Sequence, residues 1–173
     1  MGKRERGIIM ARILVFDPSG NWKEGNGTTG YLFGDEKGTI FHIETLIAHD
    51  SSQPESYWDK HLLLIDQADE VVMEGFRLYG HKKNEQVNSQ FETPQLIGLI
   101  RHYCWMQGKE LTIPYAVEVK TRWSDEVLAS QGIIEKKNGR RYWNKKLLNN
   151  HKVDVIRHYQ HYIRYTRGKV GKT

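Results

Sequence analysis

The apolar run Ile13-Leu14-Val15-Phe16 stops at an acid, Asp17, and no other stretch constrains the fold of this chain as much. Four consecutive apolar residues are the pattern of a strand covered on both faces. Pro18 cannot continue a hydrogen-bonded ladder and Ser19-Gly20 reads as a turn, so the chain leaves the sheet just after the carboxylate and holds it at the rim. Asp-Pro-Ser is also ordinary turn chemistry, and alone it leaves Asp17 equally readable as a turn cap. A second stretch shifts that balance. Glu70-Val71-Val72-Met73-Glu74 is another short buried strand that ends in an acid, with Gly75 after it. Unpaired charges are costly to hold against an apolar interior, so two such endings are hard to explain by packing.

The remaining elements follow from periodicity and turn residues. Thr29 to Phe33 and Thr39 to Leu46, joined at Gly38, complete an antiparallel meander with the first strand. Ser52, Pro54 and Glu55 start a helix on which Trp58, His61, Leu62 and Ile65 recur at helical spacing. Thr93-Pro94 starts a second, whose stripe of Leu96, Leu99, Ile100, Tyr103 and Cys104 reads as core or dimer contact. Leu111 to Ile113 and Ala116 to Val119, either side of Pro114, predict a fifth strand, and Ser124 caps a short helix opened by Asp125 and Glu126. Asn138-Gly139, between Ile133 and Trp143, is a two-residue hairpin signal. The last helix runs from Asn150, its N-cap, to about Tyr165. It carries Val155, Ile156, Tyr159, Tyr162 and Ile163 toward the core, with His151, Asp154, His158 and His161 on another face. The expected class is α/β, a mixed five-stranded sheet flanked by helices, with a small basic β-hairpin inserted before the C-terminal helix.

At 173 residues the chain suits one domain. Its net charge of +5 is unevenly spread: residues 1–135 carry 14 Lys/Arg against 20 Asp/Glu, residues 136–173 carry 12 against one. Clustered cations gain affinity for a polyanion by releasing its counterions, although a solvated tail has the same composition. At the hairpin, Lys136, Lys137, Arg140 and Arg141 repel one another unless they share an anion, which favours a DNA-facing finger. Gly75 to Glu92 lacks periodicity but interleaves Phe76, Tyr79 and Phe91 with Arg77, His81, Lys82 and Lys83. That mixture suits stacking on unpaired bases and contact with phosphates, and equally a solvated loop. A single cysteine, Cys104, excludes an internal disulfide and fits a reducing cytoplasm; its helical apolar setting predicts a buried structural thiol. No apolar run approaches the roughly 18 residues of a membrane span, and residues 1–9 read as a basic extension ahead of one domain at 10–173.

Adjacent strand ends lie about 5 Å apart, so Asp17 and Glu74 can share a metal pair if their strands are neighbours. Asp154, and with it His151 one turn earlier, joins them if the last helix packs beside those ends; otherwise both are solvated residues near a helix N-terminus. Hard oxygen ligands from separate elements suit Mg2+ or Mn2+ rather than a closed zinc site.

These residues resemble the RuvC Holliday junction resolvases, in particular their phage-encoded branch, within the RNase H-like nuclease superfamily. Asp17-Pro18-Ser19 is similar to the family's first motif, Thr29-Gly30-Tyr31 to the Thr-Gly-aromatic start of its second strand, and Val71 to Glu74 to its second acidic motif. His151-Lys152-Val153-Asp154-Val155-Ile156-Arg157-His158 resembles the phage branch's His-x-x-Asp-Ala-x-Arg-His helix. The resemblance implies an RNase H-like fold and a homodimer that binds branched DNA. It implies paired symmetric nicks in a four-way junction, leaving 5′-phosphate and 3′-hydroxyl ends. Asp17, Glu74 and Asp154 are then the metal ligands, and His151, where many cellular members carry an Asp, binds metal or helps deprotonate water. That imidazole favours Mn2+ beside Mg2+. Phe76 and Tyr79 fall where the family carries a wedging aromatic, and Lys120 resembles its phosphate contact after the fifth strand. The competing expectations are a broader RNase H-like nuclease and an inactive branched-DNA-binding module. A phage origin would place the protein in the cytoplasm of a bacterial host.

Overall fold

The structure, a computed structural model, describes residues 11–20, 27–48, 54–76 and 92–167. Its main sheet has the order β3-β2-β1-β4-β5, formed by β1 (Arg12–Asp17), β2 (Thr28–Asp35), β3 (Ile40–Ile47), β4 (Glu70–Met73) and β5 (Glu110–Thr112). The meander β1-β2-β3 is antiparallel, whereas β4 lies parallel to β1 and β5 parallel to β4. The continuous apolar run thus became the central strand. Leu14 and Phe16 pack with Ile65 of α1 (Pro54–Ile65) and with Leu96, Ile100 and Cys104 of α2 (Glu92–Met106). Ile13 and Val15 pack on the opposite face, with Val153, Val155, Ile156 and Tyr159 of α5 (Asn150–His161). Cys104 is buried as expected, and burial pushes its thiol up to about 11. No helix among the described residues is long and apolar enough to cross a membrane.

Strand alternation decides where the acids go. Asp17 continues the series Ile13, Val15, and Glu74 continues Val72, so both fall on the α5 face. Phe16 pairs with Met73, and the Glu74 amide donates to the Phe16 carbonyl at 3.0 Å, so the two acids leave neighbouring parallel strands side by side.

Helix α5 lies directly on β2 because β2 offers it glycines. A Cβ on Gly30 would stand 2.4 Å from the His151 carbonyl oxygen, and one on Gly34 would stand 2.5 Å from the Tyr159 ring. Four residues of strand and eight of helix both span about 12–13 Å, so the two notches match the helix over two turns. The Tyr159 hydroxyl closes the contact by donating to the carbonyls of Asp35 at 2.6 Å and Thr39 at 3.1 Å. The N-cap is Asn149, one residue before the one predicted: its side chain accepts from the Lys152 amide at 2.9 Å. The helix closes in a wider π turn, Tyr162–Thr166, and Arg167 then pairs with Glu70 and Glu36.

Two predicted elements are corrected. Ala116 to Val119 is not strand but the first half of a helix, α3 (Ala116–Arg122); β5 stops at Thr112. The Val-x-Val alternation mimics a strand, yet Val119 is buried and Val117 exposed, as one turn of a helix packed against α5 requires. Lys120 therefore sits on a helix rather than after a strand. The Asn138-Gly139 hairpin is present, with both residues at positive φ, between β6 (Glu135–Lys137) and β7 (Arg140–Trp143). It is larger than expected: Asn144 and Lys145, also at positive φ, turn the chain into β8 (Lys146–Leu147), making a three-stranded sheet. As predicted, the Ser124 side chain caps α4 (Asp125–Ser130) by accepting from the Val127 amide.

Candidate functional site

The first three turns of α5 pass over the two strand-end acids, and each carboxylate meets a partner there. His151 donates from Nδ1 to Asp17 Oδ2 at 2.7 Å, and His158, two turns on, donates from Nε2 to Glu74 Oε2 at 2.7 Å. Between them Asp154 accepts from Lys120 Nζ of α3 at 2.9 Å and from Arg157 at 2.7 Å. The structure thus brings together Asp17 and Glu74 from two strand ends, His151 and Asp154 from α5, and Lys120 from α3. Burial raises the Asp17 carboxyl above its usual range; His151 opposes the rise, and the charges on Glu74 and Asp154 add to it. Burial pulls the Lys120 ammonium down, but Asp154, aided by Glu74 and Asp17, outweighs it and holds the ammonium above its usual range.

The donor set suits a hard divalent ion: three carboxylates and an imidazole, with mutual repulsion for a cation to relieve. The arrangement is one of ion pairs rather than a finished cage. Among the described residues no three His, Cys, Asp or Glu side chains surround one point, and Asp154 is committed to Lys120 and Arg157.

The wider network carries residues that sequence reasoning passed over. Arg157 bridges Asp154 to Asp125 of α4, at 2.5 Å, and Asp125 also meets Arg141 of β7 at 3.4 Å. Arg141 reaches Asn150 at 2.6 Å, and Lys136 pairs with Glu126 at 2.7 Å. Two of the four hairpin cations, Lys136 and Arg141, thus have their anionic partners within the protein, so their clustering alone does not call for DNA. Lys137 and Arg140 are exposed without an ion pair among the described residues. Behind Asp17, Thr29 Oγ1 accepts from the Ser19 amide at 3.0 Å and meets Tyr57 and His61, while Tyr57 donates to the Ser19 carbonyl. This buried cluster fixes the turn that follows Asp17, and burial lowers His61 to about 4, so it stays neutral.

Phe76 lines a cleft of about 440 Å³ with Glu74, Val117, Lys120 and Thr121, and a neighbouring one of about 680 Å³ with Arg101, Trp105, Lys109 and Tyr115. Tyr79, Lys82 and Lys83, like residues 1–9, lie outside the described residues.

The His151–Asp17 pair has a pH signature. Its hydrogen bond to Asp17 raises His151 above 6.5, so the pair's contribution to stability is complete below 6.5 and fades as pH rises through the folded value. Asp17, also raised, works in the same direction. In EDTA the thermal midpoint should fall as pH rises above 6.5, and His151→Asn should flatten that part of the curve. A wild-type midpoint independent of pH there would show that the pair is not formed.

No protein-family model matches the chain, and no curated protein matches it either. Solved structures do. The chain is similar to T. thermophilus RuvC in complex with a Holliday junction substrate, at 10% identity and TM-score 0.60, covering 88% of this chain and 93% of that one. It is also similar to a second structure of Thermus thermophilus RuvC, at 13% identity and TM-score 0.55 with the same coverage. The fold is that of RuvC, the RNase H-like α/β arrangement expected from the sequence.

Proposed function

We propose that the chain is a divalent-metal-dependent endonuclease of branched DNA, a junction resolvase of the RuvC type and its phage-encoded branch. As a homodimer it nicks two strands of like polarity at a four-way junction and leaves 5′-phosphate and 3′-hydroxyl ends. The observation that carries this reading is the meeting of Asp17 and Glu74 on neighbouring parallel strands beneath His151 and Asp154. A fold of the same type in complex with a Holliday junction substrate supports the choice of DNA.

Mg2+ suits the three carboxylates Asp17, Glu74 and Asp154, and the imidazole of His151 lets Mn2+ substitute. Divalent ions held there supply an activated water and neutralise charge on the leaving 3′ oxygen. In its neutral form His151, donating to Asp17 through Nδ1, keeps Nε2 as an acceptor for a metal or for the proton of the attacking water. Lys120, with 44% of its side chain exposed, exchanges Asp154 for a backbone phosphate near the scissile bond. Phe76, flanked by clefts that also hold Trp105, Arg101 and Lys109, offers stacking and phosphate contacts to strands that part at a branch point. Lys137 and Arg140 engage a duplex arm. Residues 10–173 form one nuclease domain with residues 1–9 as a basic extension, acting in the cytoplasm of a bacterial host.

The test is cleavage of an end-labelled four-way junction beside linear duplex, a fork and an RNA/DNA hybrid, in Mg2+ or Mn2+, by wild type and Glu74→Gln. Paired symmetric nicks confined to the junction and absent from the variant are expected. Equal cutting of forks or hybrids would replace the resolvase by a broader nuclease, and tight junction binding without cutting in either metal would leave a binding module.

A further inference from the structure

We infer that His158 is a positioning residue that orients the Glu74 carboxylate for metal binding; the inference rests on the reading of Glu74 as a metal ligand. His158 has no exposed side-chain surface, and its one side-chain hydrogen bond among the described residues is the 2.7 Å donation from Nε2 to Glu74 Oε2. Nδ1 is buried without a hydrogen-bond partner among the described residues. With Nε2 given to Glu74, the ring is left with a buried polar atom, Nδ1, that no described residue satisfies, and an unsatisfied buried polar group is a net cost to the fold. A leucine at this position would fill the same space without that cost. The ring is therefore explained by its one bond and not by packing.

The bond has a definite target. The backbone of Glu74 is already held by its amide bond to the Phe16 carbonyl, but the side chain beyond has three free torsions. Oε2 is the atom His158 takes, which turns the carboxylate toward α5 and leaves Oε1 outside that hydrogen bond. His151 does not duplicate this function, because it grips Asp17 and is 40% exposed. Imidazoles that hold a ligating carboxylate in one orientation typically change metal affinity about 10–100-fold when removed.

The experiment titrates Mn2+ into the full chain without DNA, reading free Mn2+ by electron paramagnetic resonance, and records thermal midpoints in EDTA. In His158→Leu, binding should weaken about 10–100-fold while the midpoint stays or rises. His158→Gln, whose amide N–H reaches the same oxygen, should recover most of the affinity. In a Glu74→Gln background, His158→Leu should cause no further loss, because its effect passes through that carboxylate. A folded His158→Leu protein with wild-type affinity, or a loss that adds fully in the Glu74→Gln background, overturns the inference. If His158→Leu does not fold, His158→Asn takes its place: its shorter amide cannot reach Glu74, the same loss is expected, and wild-type affinity overturns the inference. Equal Mn2+ binding by Glu74→Gln and wild type removes Glu74 as a ligand, and the inference with it.

Discussion

Replacing Asp17 by Asn should lower junction cleavage by at least about 10³-fold and leave the thermal midpoint in EDTA unchanged or higher. The two effects have one cause. Burial, together with the charges on Glu74 and Asp154, holds the Asp17 carboxyl above its usual range in spite of its hydrogen bond to His151. A raised acid stabilises the fold only at low pH, and at neutral pH its ionised form is a standing cost. Asn removes the charge and keeps an oxygen to accept from His151, so at a pH high enough for His151 to be neutral the fold gives up no ion pair; each kcal/mol recovered is worth about 2–4 °C for a chain of this size. Junction binding should persist or tighten, since a negative charge has left a surface that receives phosphates. Calorimetry beside the cleavage assay separates the readings. A midpoint that drops with activity would make Asp17 a structural turn acid, and normal cutting would exclude it as a ligand.

That contrast between local cost and tertiary purpose also marks what was legible in the sequence. The strand-end acids could be read because the signal is local: a contiguous apolar run, an acid, then Pro or Gly, and alternation fixes which face the acid takes. The hairpin is legible for the same reason, since Asn138-Gly139 supplies the two positive φ values by itself, whereas in the second turn Asn144 has that preference but Lys145 does not. Val117 and Val119 misled because their β preference is weak next to the burial of Val119 in a helix packed against α5. Arg157, His158 and Asp125 stand in plain view, but the pairing of Arg157 with Asp125 spans 32 residues of chain and that of His158 with Glu74 spans 84. Asp125 reads locally as a first-turn acid of α4, and only the packed α5 shows that it also holds Arg157. The Thr-Gly-aromatic run at Thr29 resembles a family motif but shows no local physical reason for it. The structure supplies one: Thr29 ties down the turn after Asp17, and Gly30 seats the helix that carries the other ligands.

That seat makes Gly30→Ala the most damaging change to the site that touches no ligand. The added methyl would lie 2.4 Å from the His151 carbonyl oxygen, 2.7 Å from its carbonyl carbon and 3.0 Å from its Cβ. The first two are backbone atoms, which cannot swing aside, so the first turn of α5 must lift from β2. Overpacking of this kind costs about 1–3 kcal/mol. The catalytic cost should be larger in proportion, because His151 and Asp154 ride on the turn that moves while Asp17 and Glu74 stay with the sheet; a displacement of about 1 Å is worth about 10²-fold in rate. Denaturant melts, Mn2+ titration and junction cleavage of Gly30→Ala should therefore all report losses with every candidate ligand intact. Gly98→Ala is the control: nothing lies within 4 Å of a Cβ there, and inside α2 the alanine should add about 0.5–1 kcal/mol of stability with cleavage unchanged. Gly30→Ala with wild-type Mn2+ affinity and cutting would show that the ligand geometry does not depend on the seating of α5 against β2.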